Sequence, residues 1–78
     1  MWHKFSEEKP TKDGEYLTVR LYSGYKFYHV YSWANDLSTK SYEFEDNKHS
    51  GFWEIDSEWG AFEIDDIEAW MEIEEYEL

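Results

Sequence analysis

Apolar and polar residues alternate with period two along much of this chain. The clearest run is Glu15-Tyr16-Leu17-Thr18-Val19-Arg20-Leu21-Tyr22. Leu17, Val19 and Leu21 fall on one side and Tyr16, Thr18, Arg20 and Tyr22 on the other, which predicts a strand. Ahead of it, Lys9-Pro10-Thr11-Lys12-Asp13-Gly14 is turn chemistry, with a fixed proline dihedral followed by Asp-Gly. Behind it, Ser23-Gly24 predicts a hairpin turn. From Tyr25 to Ala34 nearly every residue is aromatic or β-branched, again strand-like. Tyr25, Phe27, His29, Tyr31 and Trp33 would share one face, and Lys26, Tyr28, Val30 and Ser32 the other.

The second half is less regular. Asn35 to Lys40 breaks the pattern as a loop, and Ser41 to Asp46 sets Tyr42 and Phe44 against Glu43 and Glu45 as a short strand. Asn47 to Gly51 turns the chain, and Phe52-Trp53-Glu54-Ile55-Asp56 returns it. In the last segment Ile67, Ala69, Met71 and Ile73 alternate with Glu68, Trp70, Glu72 and Glu74, which favours a strand. Ile64, Ile67 and Met71 behind Asp65-Asp66 also suit a short amphipathic helix near residues 62–74. The expected fold is therefore mainly β: a small antiparallel sheet or open barrel of four to five strands, with that helix as the alternative ending. Its core is expected to hold Leu17, Val19, Leu21, Val30, Ile55, Ile67 and Met71.

Composition narrows the class. Seventy-eight residues make one domain, residues 1–78, near the lower limit for folding without staples. There is no cysteine, which removes disulfides, thiolate metal sites and cysteine nucleophiles. Aromatic residues form 22% of the chain, too many for a disordered acidic tail. They also exceed what one side of a small sheet can hide, so part of them should form an exposed patch that meets another protein or a second copy. No apolar run approaches a membrane span, and the Met1-Trp2-His3-Lys4-Phe5 opening carries no signal-peptide core. The expected location is cytoplasmic, with no membrane partner.

Charge is the strongest signal. The chain carries 7 Lys and Arg against 19 Asp and Glu, a net of −12. Lys48 is the one Lys or Arg after residue 40, so nearly all the imbalance lies in the second half. A phosphate-neutralising surface is excluded by this balance, and no direct nucleic-acid partner is expected. An acidic surface keeps a small protein soluble; concentrated in one half, it also suits a strongly basic partner.

The same residues are similar to a family of small phage and prophage proteins, the domain of unknown function 551. That family opens on a tryptophan and a "P-x-x-G-x-Y-L-V" turn and strand; Trp2, Pro10 and Gly14-Glu15-Tyr16-Leu17-Thr18-Val19 resemble it. Val30 and Trp33 resemble its central strand, and an aromatic pair follows at Phe52-Trp53. Its close, roughly "V-x-x-W-M-P-L-P-E", is similar to Ile67-Glu68-Ala69-Trp70-Met71-Glu72-Ile73-Glu74-Glu75. Glu72 stands where the family has a proline, and residues 35–50 are extra length. The resemblance implies a small mainly β domain of mobile-element origin, hence a bacterial host cytoplasm, and it supplies no catalytic residues.

Catalytic and metal chemistry is sparse. His3, His29 and His49 lack metal-ligand spacing, no glycine-rich phosphate loop exists, and the stretch from Asp46 fails the calcium-loop template. With so many acids, some carboxylate pair always suits acid–base work, so such pairs carry no information. No enzyme activity, cofactor or metal is expected. The aromatic row Tyr25, Phe27, Tyr31 and Trp33 is either core or an exposed patch; its acidic surroundings do not suit a single-strand stacking platform. The favoured expectation is an inhibitor encoded by a phage or other mobile element. It would bind a basic nucleic-acid-handling host protein, such as a CRISPR or restriction complex, through a DNA-mimicking surface. Glu54, Asp56, Glu58, Glu63, Asp65, Asp66 and Glu68 would supply that surface. The alternative is a non-catalytic accessory or structural module of a phage, acting as a monomer or homodimer.

Overall fold

The computed structural model describes residues 1–74. It is one antiparallel sheet built from β1 (His3–Lys4), β2 (Gly14–Tyr22), β3 (Tyr25–Ala34), β4 (Gly51–Asp56), β5 (Gly60–Ile64) and β6 (Ile67–Glu72). The strands lie in the order β1-β6-β2-β3-β4-β5, so the sheet is open, with β1 and β5 at its edges. Its mainly β, small-sheet character is the one the alternation predicts. Two strands carry no alternation signal: β1 has two residues, and β5 is a short hairpin return. Residues 62–74 form no helix. Asp66 takes a positive φ of 56°, which turns β5 into β6 and is incompatible with a helical run.

The Ser23-Gly24 turn joins β2 to β3 with φ of 49° and 82°, the left-handed pair of a type I′ hairpin. Serine pays a steric penalty there that asparagine largely avoids. Ser23→Asn is expected to raise stability by about 0.5–1 kcal/mol, measured by urea denaturation. A loss of stability would show that the Ser23 side chain holds the turn.

Cross-strand partners share a face. Tyr16, Thr18, Tyr31, Trp33, Phe52, Ile64 and Trp70 therefore line one side, here called the front. Tyr31, Trp33, Phe52, Ile64, Ile67 and Trp70 form its buried cluster, with Phe5 and Tyr16 packed against it. Residues 5–12 lie over this face. The Trp70 indole N–H donates to the Glu8 carbonyl at 2.8 Å, and the Tyr16 hydroxyl donates to the Lys12 carbonyl at 2.8 Å. Thr18, fully buried, satisfies its hydroxyl on the His29 carbonyl at 2.7 Å.

The back face is covered unevenly. Near Val19 and Ala69, which are buried, Trp2 lies against Tyr28 with ring centroids 6.0 Å apart, and the β4–β5 end has a larger cover. Two 3₁₀ turns, Leu37–Thr39 and Tyr42–Phe44, replace the short strand expected over Ser41–Asp46. Each starts on a capping side chain: the Asp36 carboxylate accepts the Ser38 N–H at 3.0 Å, and the Ser41 hydroxyl accepts the Glu43 N–H at 3.3 Å. Such local side-chain bonds compete with strand pairing. Leu37 and Phe44 then pack with Ala34, Trp53 and Ala61. Asp13 ties the two coverings together. It lies 2.6 Å from the Lys40 ammonium and accepts the Asn35 N–H at 2.7 Å, while Asn35 receives the Trp33 indole N–H at 2.9 Å. The Lys40 bond first, and then the Asn35 N–H, hold the Asp13 carboxyl below its ordinary range.

The core departs from the expected list. Val19 and Ile67 are buried, and Leu17 and Met71 are half-buried. Leu21, Val30 and Ile55 are exposed, Ile55 by 65%. All three lie on the back face, beyond the reach of Leu37 and Phe44. A register shift between Val19 and Arg20 explains a further difference. Ala69 faces Val19 but Ile67 faces Arg20, so Glu68 is an extra residue. This bulge puts Ile67 on the front with Trp70, although a plain strand would separate them.

Candidate functional site

The seven acids expected to form one contact surface are split by the fold. Glu54 and Asp56 share the front face of β4. Glu63 lies on the back face of β5, opposite Trp53. Glu58 lies in the β4–β5 turn, Asp65 and Asp66 in the β5–β6 turn, and Glu68 at the bulge. Several are already engaged. Glu54 lies 3.3 Å from His29 Nε2, and Glu63 lies 2.8 Å from His49 Nε2. Both Asp66 carboxylate oxygens accept from Arg20 at 3.2 Å. Asp56 accepts the N–H groups of Glu58 and Trp59 at 2.7 and 3.1 Å, so it builds the hairpin turn as an Asx motif.

What the fold does bring together is an acid-rich end rather than an acid stripe. The second 3₁₀ turn sits beside β5, and the Glu43 carboxylate accepts the Ala61 N–H at 3.1 Å. Glu43 thus joins Glu54, Asp56, Glu58 and Glu63 around the β4–β5 hairpin. From Gly51 to Glu74 the chain has no Lys or Arg. Trp59, 80% exposed, stands at the tip of this end. Glu43 was not among the expected residues, because a strand over 41–46 gives no reason to place it at the β5 edge.

The aromatic row is also divided. Tyr25, Phe27, Tyr31 and Trp33 share the front face, as the alternation predicts. Tyr31 and Trp33 are core, whereas Tyr25 and Phe27 are 71% and 55% exposed near the hairpin tip. There Arg20, Tyr22, Phe27, His29 and Tyr31 line an open groove of about 360 Å³. Arg20 donates to the Tyr31 hydroxyl at 3.3 Å and to Asp66. Burial alone would lower the guanidinium's affinity for its proton, but these two partners outweigh it and hold the pKa above the ordinary arginine value. The arginine is thereby committed to structure, bracing β2 against the β5–β6 turn.

Elsewhere, titratable groups serve packing. His3 stacks on Trp70 with ring centroids 4.4 Å apart and lies 3.4 Å from Glu72. A bond to its own backbone N–H first, and then the His3 contact, lower the Glu72 pKa against an opposing desolvation effect. Among the described residues no three His, Asp or Glu side chains converge as metal ligands. No helix among them is long and apolar enough to cross a membrane. Glu75, the last residue in the resemblance to the phage family, lies outside the described residues. No family model, curated protein or solved structure matches the chain.

Proposed function

We propose that this protein is a non-catalytic inhibitor that presents the acidic β4–β5 end of its sheet to a basic, nucleic-acid-handling protein of a bacterial host. The observation that carries this reading is the uncompensated charge of residues 51–74, which hold nine acids and no Lys or Arg. On an open sheet edge such charge attracts a cationic groove from a distance and speeds encounter. The exposed Trp59 supplies an apolar anchor amid the carboxylates, the residue type enriched at binding hot spots. The resemblance to phage proteins supports a mobile-element setting.

The test begins with a tagged pull-down from nuclease-treated bacterial lysate, followed by competition with DNA and RNA against the captured protein. Glu58 and Asp65 are the positions to reverse, because their side chains are exposed and accept no hydrogen bond among the described residues. The double variant Glu58→Lys, Asp65→Lys is expected to weaken capture by about tenfold and to flatten its salt dependence. Unchanged affinity and salt slope in that variant would remove the acidic end from the interface.

A second reading rests on the exposed Tyr25 and Phe27. In it the chain is an accessory or structural phage module that binds protein through the aromatic hairpin rather than the acidic end. Phe27→Ala would then abolish capture that the acid reversals leave intact.

A further inference from the structure

β3 pairs along its whole length with β2 but meets β4 only at Ser32, Trp33 and Ala34. Beyond Ser32, β4 pairs with β5 alone, through Asp56. Among the described residues, the stretch Tyr25–Tyr31 therefore pairs with no strand on its outer side, although Glu54 of β4 reaches His29 at 3.3 Å. In an antiparallel ladder a residue directs its N–H and C=O to one side, and its neighbours direct theirs to the other. The two-residue Ser23-Gly24 loop makes Tyr22 and Tyr25 a hydrogen-bonded pair. By alternation Phe27, His29 and Tyr31 also turn toward β2. Lys26, Tyr28 and Val30 turn outward, with the same parity as Ser32 and Ala34 that meet β4.

Open strand edges of this kind are normally blunted. The other edges here are. β1 has two residues, and at β5 the Glu43 carboxylate occupies the Ala61 N–H. β3 has no proline, no bulge and one lysine, and its flanking side chains are large and apolar. Tyr28 is 58% exposed on the back face, where the Trp2 ring centroid lies 6.0 Å from its own, and Tyr25 and Phe27 are exposed on the front.

Charge selects the occupant. Although the chain is one-quarter acidic, Tyr16 through Asn35 contain no Asp or Glu. This hairpin is the part of a −12 protein that can approach its own kind with least repulsion. An antiparallel self-pairing about Tyr28 sets Lys26 opposite Val30 rather than opposite another Lys26. Phe27 then faces His29, and Tyr25 faces Tyr31. No like charges are opposed, and apart from Lys26 against Val30 every cross-strand pair is aromatic against aromatic.

We propose that two copies associate through the outer edge of β3, joining their sheets by antiparallel pairing of residues 25–31 across a two-fold axis. Such an isologous contact closes on itself and stops at the dimer. It is independent of the acidic-end reading, because its test needs no partner.

The experiment is sedimentation velocity on the full chain over a concentration series, with amide hydrogen exchange followed at each concentration. The expected result is a monomer–dimer equilibrium, with protection of the Lys26, Tyr28 and Val30 amides rising with concentration while Phe27 and His29 are protected throughout. Tyr28→Pro removes one outward N–H and spares the β2 ladder, so it should shift the protein to monomer. Tyr28→Lys, which keeps every backbone donor but opposes two ammonium groups at the axis, should do the same if the proline variant misfolds. A protein that stays monomeric up to about 1 mM, the limit of meaningful affinity, overturns the proposal. So does a dimer that survives both substitutions with the exchange pattern unchanged.

Discussion

Trp33→Ala is expected to cost about 3–5 kcal/mol and to leave little of the cooperative fold. Trp33 is 2% exposed and sits where three parts of the chain meet. Its ring lies edge-on to Phe52 at 4.9 Å and to Phe5 at 5.9 Å, so it joins β3, β4 and the segment that crosses the front face. Its indole N–H also reaches Asn35, which in turn donates to the Thr11 carbonyl at 2.9 Å. Truncation therefore empties a large cavity and frees the lock between the two coverings. A domain of this length has a total stability near the lower end of about 5–15 kcal/mol, so the loss consumes most of it. Urea denaturation followed by near-ultraviolet circular dichroism measures the effect. A loss below about 1 kcal/mol would mean that Phe5, Phe52 and Trp70 close over the gap.

Leu37→Ala should cost about 2–5 kcal/mol, with a different signature. Leu37 is fully buried, yet it belongs to the back-face cluster with Ala34 and Phe44, away from the front aromatics. The Leu37 N–H donates to the His49 carbonyl at 2.9 Å, so the residue also fixes the far end of its own loop. Removing the side chain is expected to loosen residues 37–49 and wet Trp53 while the front cluster keeps its packing. Tryptophan emission should shift to the red, with the near-ultraviolet signal of the front aromatics largely preserved. Loss of both signals in one transition would show that the two faces form a single cooperative unit.

The contrast between these two positions shows how much of the fold was legible beforehand. Alternation located β2, β3, β4 and β6 because those strands keep a period of two over five or more residues. It also put Tyr25, Phe27, Tyr31 and Trp33 on a common face. It assigned burial to one side of β2, whereas Val19 is buried on that side and Thr18 on the other, because a pattern shows which residues share a face but not which face acquires a cover. Here residues 5–12 settle over the aromatic side, leaving Leu21, Val30 and Ile55 outside. The bulge at Glu68 was invisible because one inserted residue reverses the parity of everything before it. At the acidic end, charge along the chain announced an excess but not its shape. Asp56 and Asp66 are occupied by local bonds that linear spacing does not reveal, and Glu43 joins through a 3₁₀ turn that the Tyr42/Phe44 alternation disguised as a strand.

The strand order has a consequence for biosynthesis. β6 comes last in chain order among the described strands, yet it lies between β1 and β2, which are made before it. Translation runs at about 5–20 residues per second, so β2 waits some seconds before its second neighbour exists. During that interval Tyr16 lacks the Trp70 ring that meets it edge-on at 5.2 Å, and Thr18 and Val19 have no strand on one side. The nascent chain carries a half-built aromatic core with an open seam until β6 closes it. Premature termination anywhere before Ile67 would release that seam permanently, giving a fragment with a strong tendency to aggregate rather than a smaller version of the same domain.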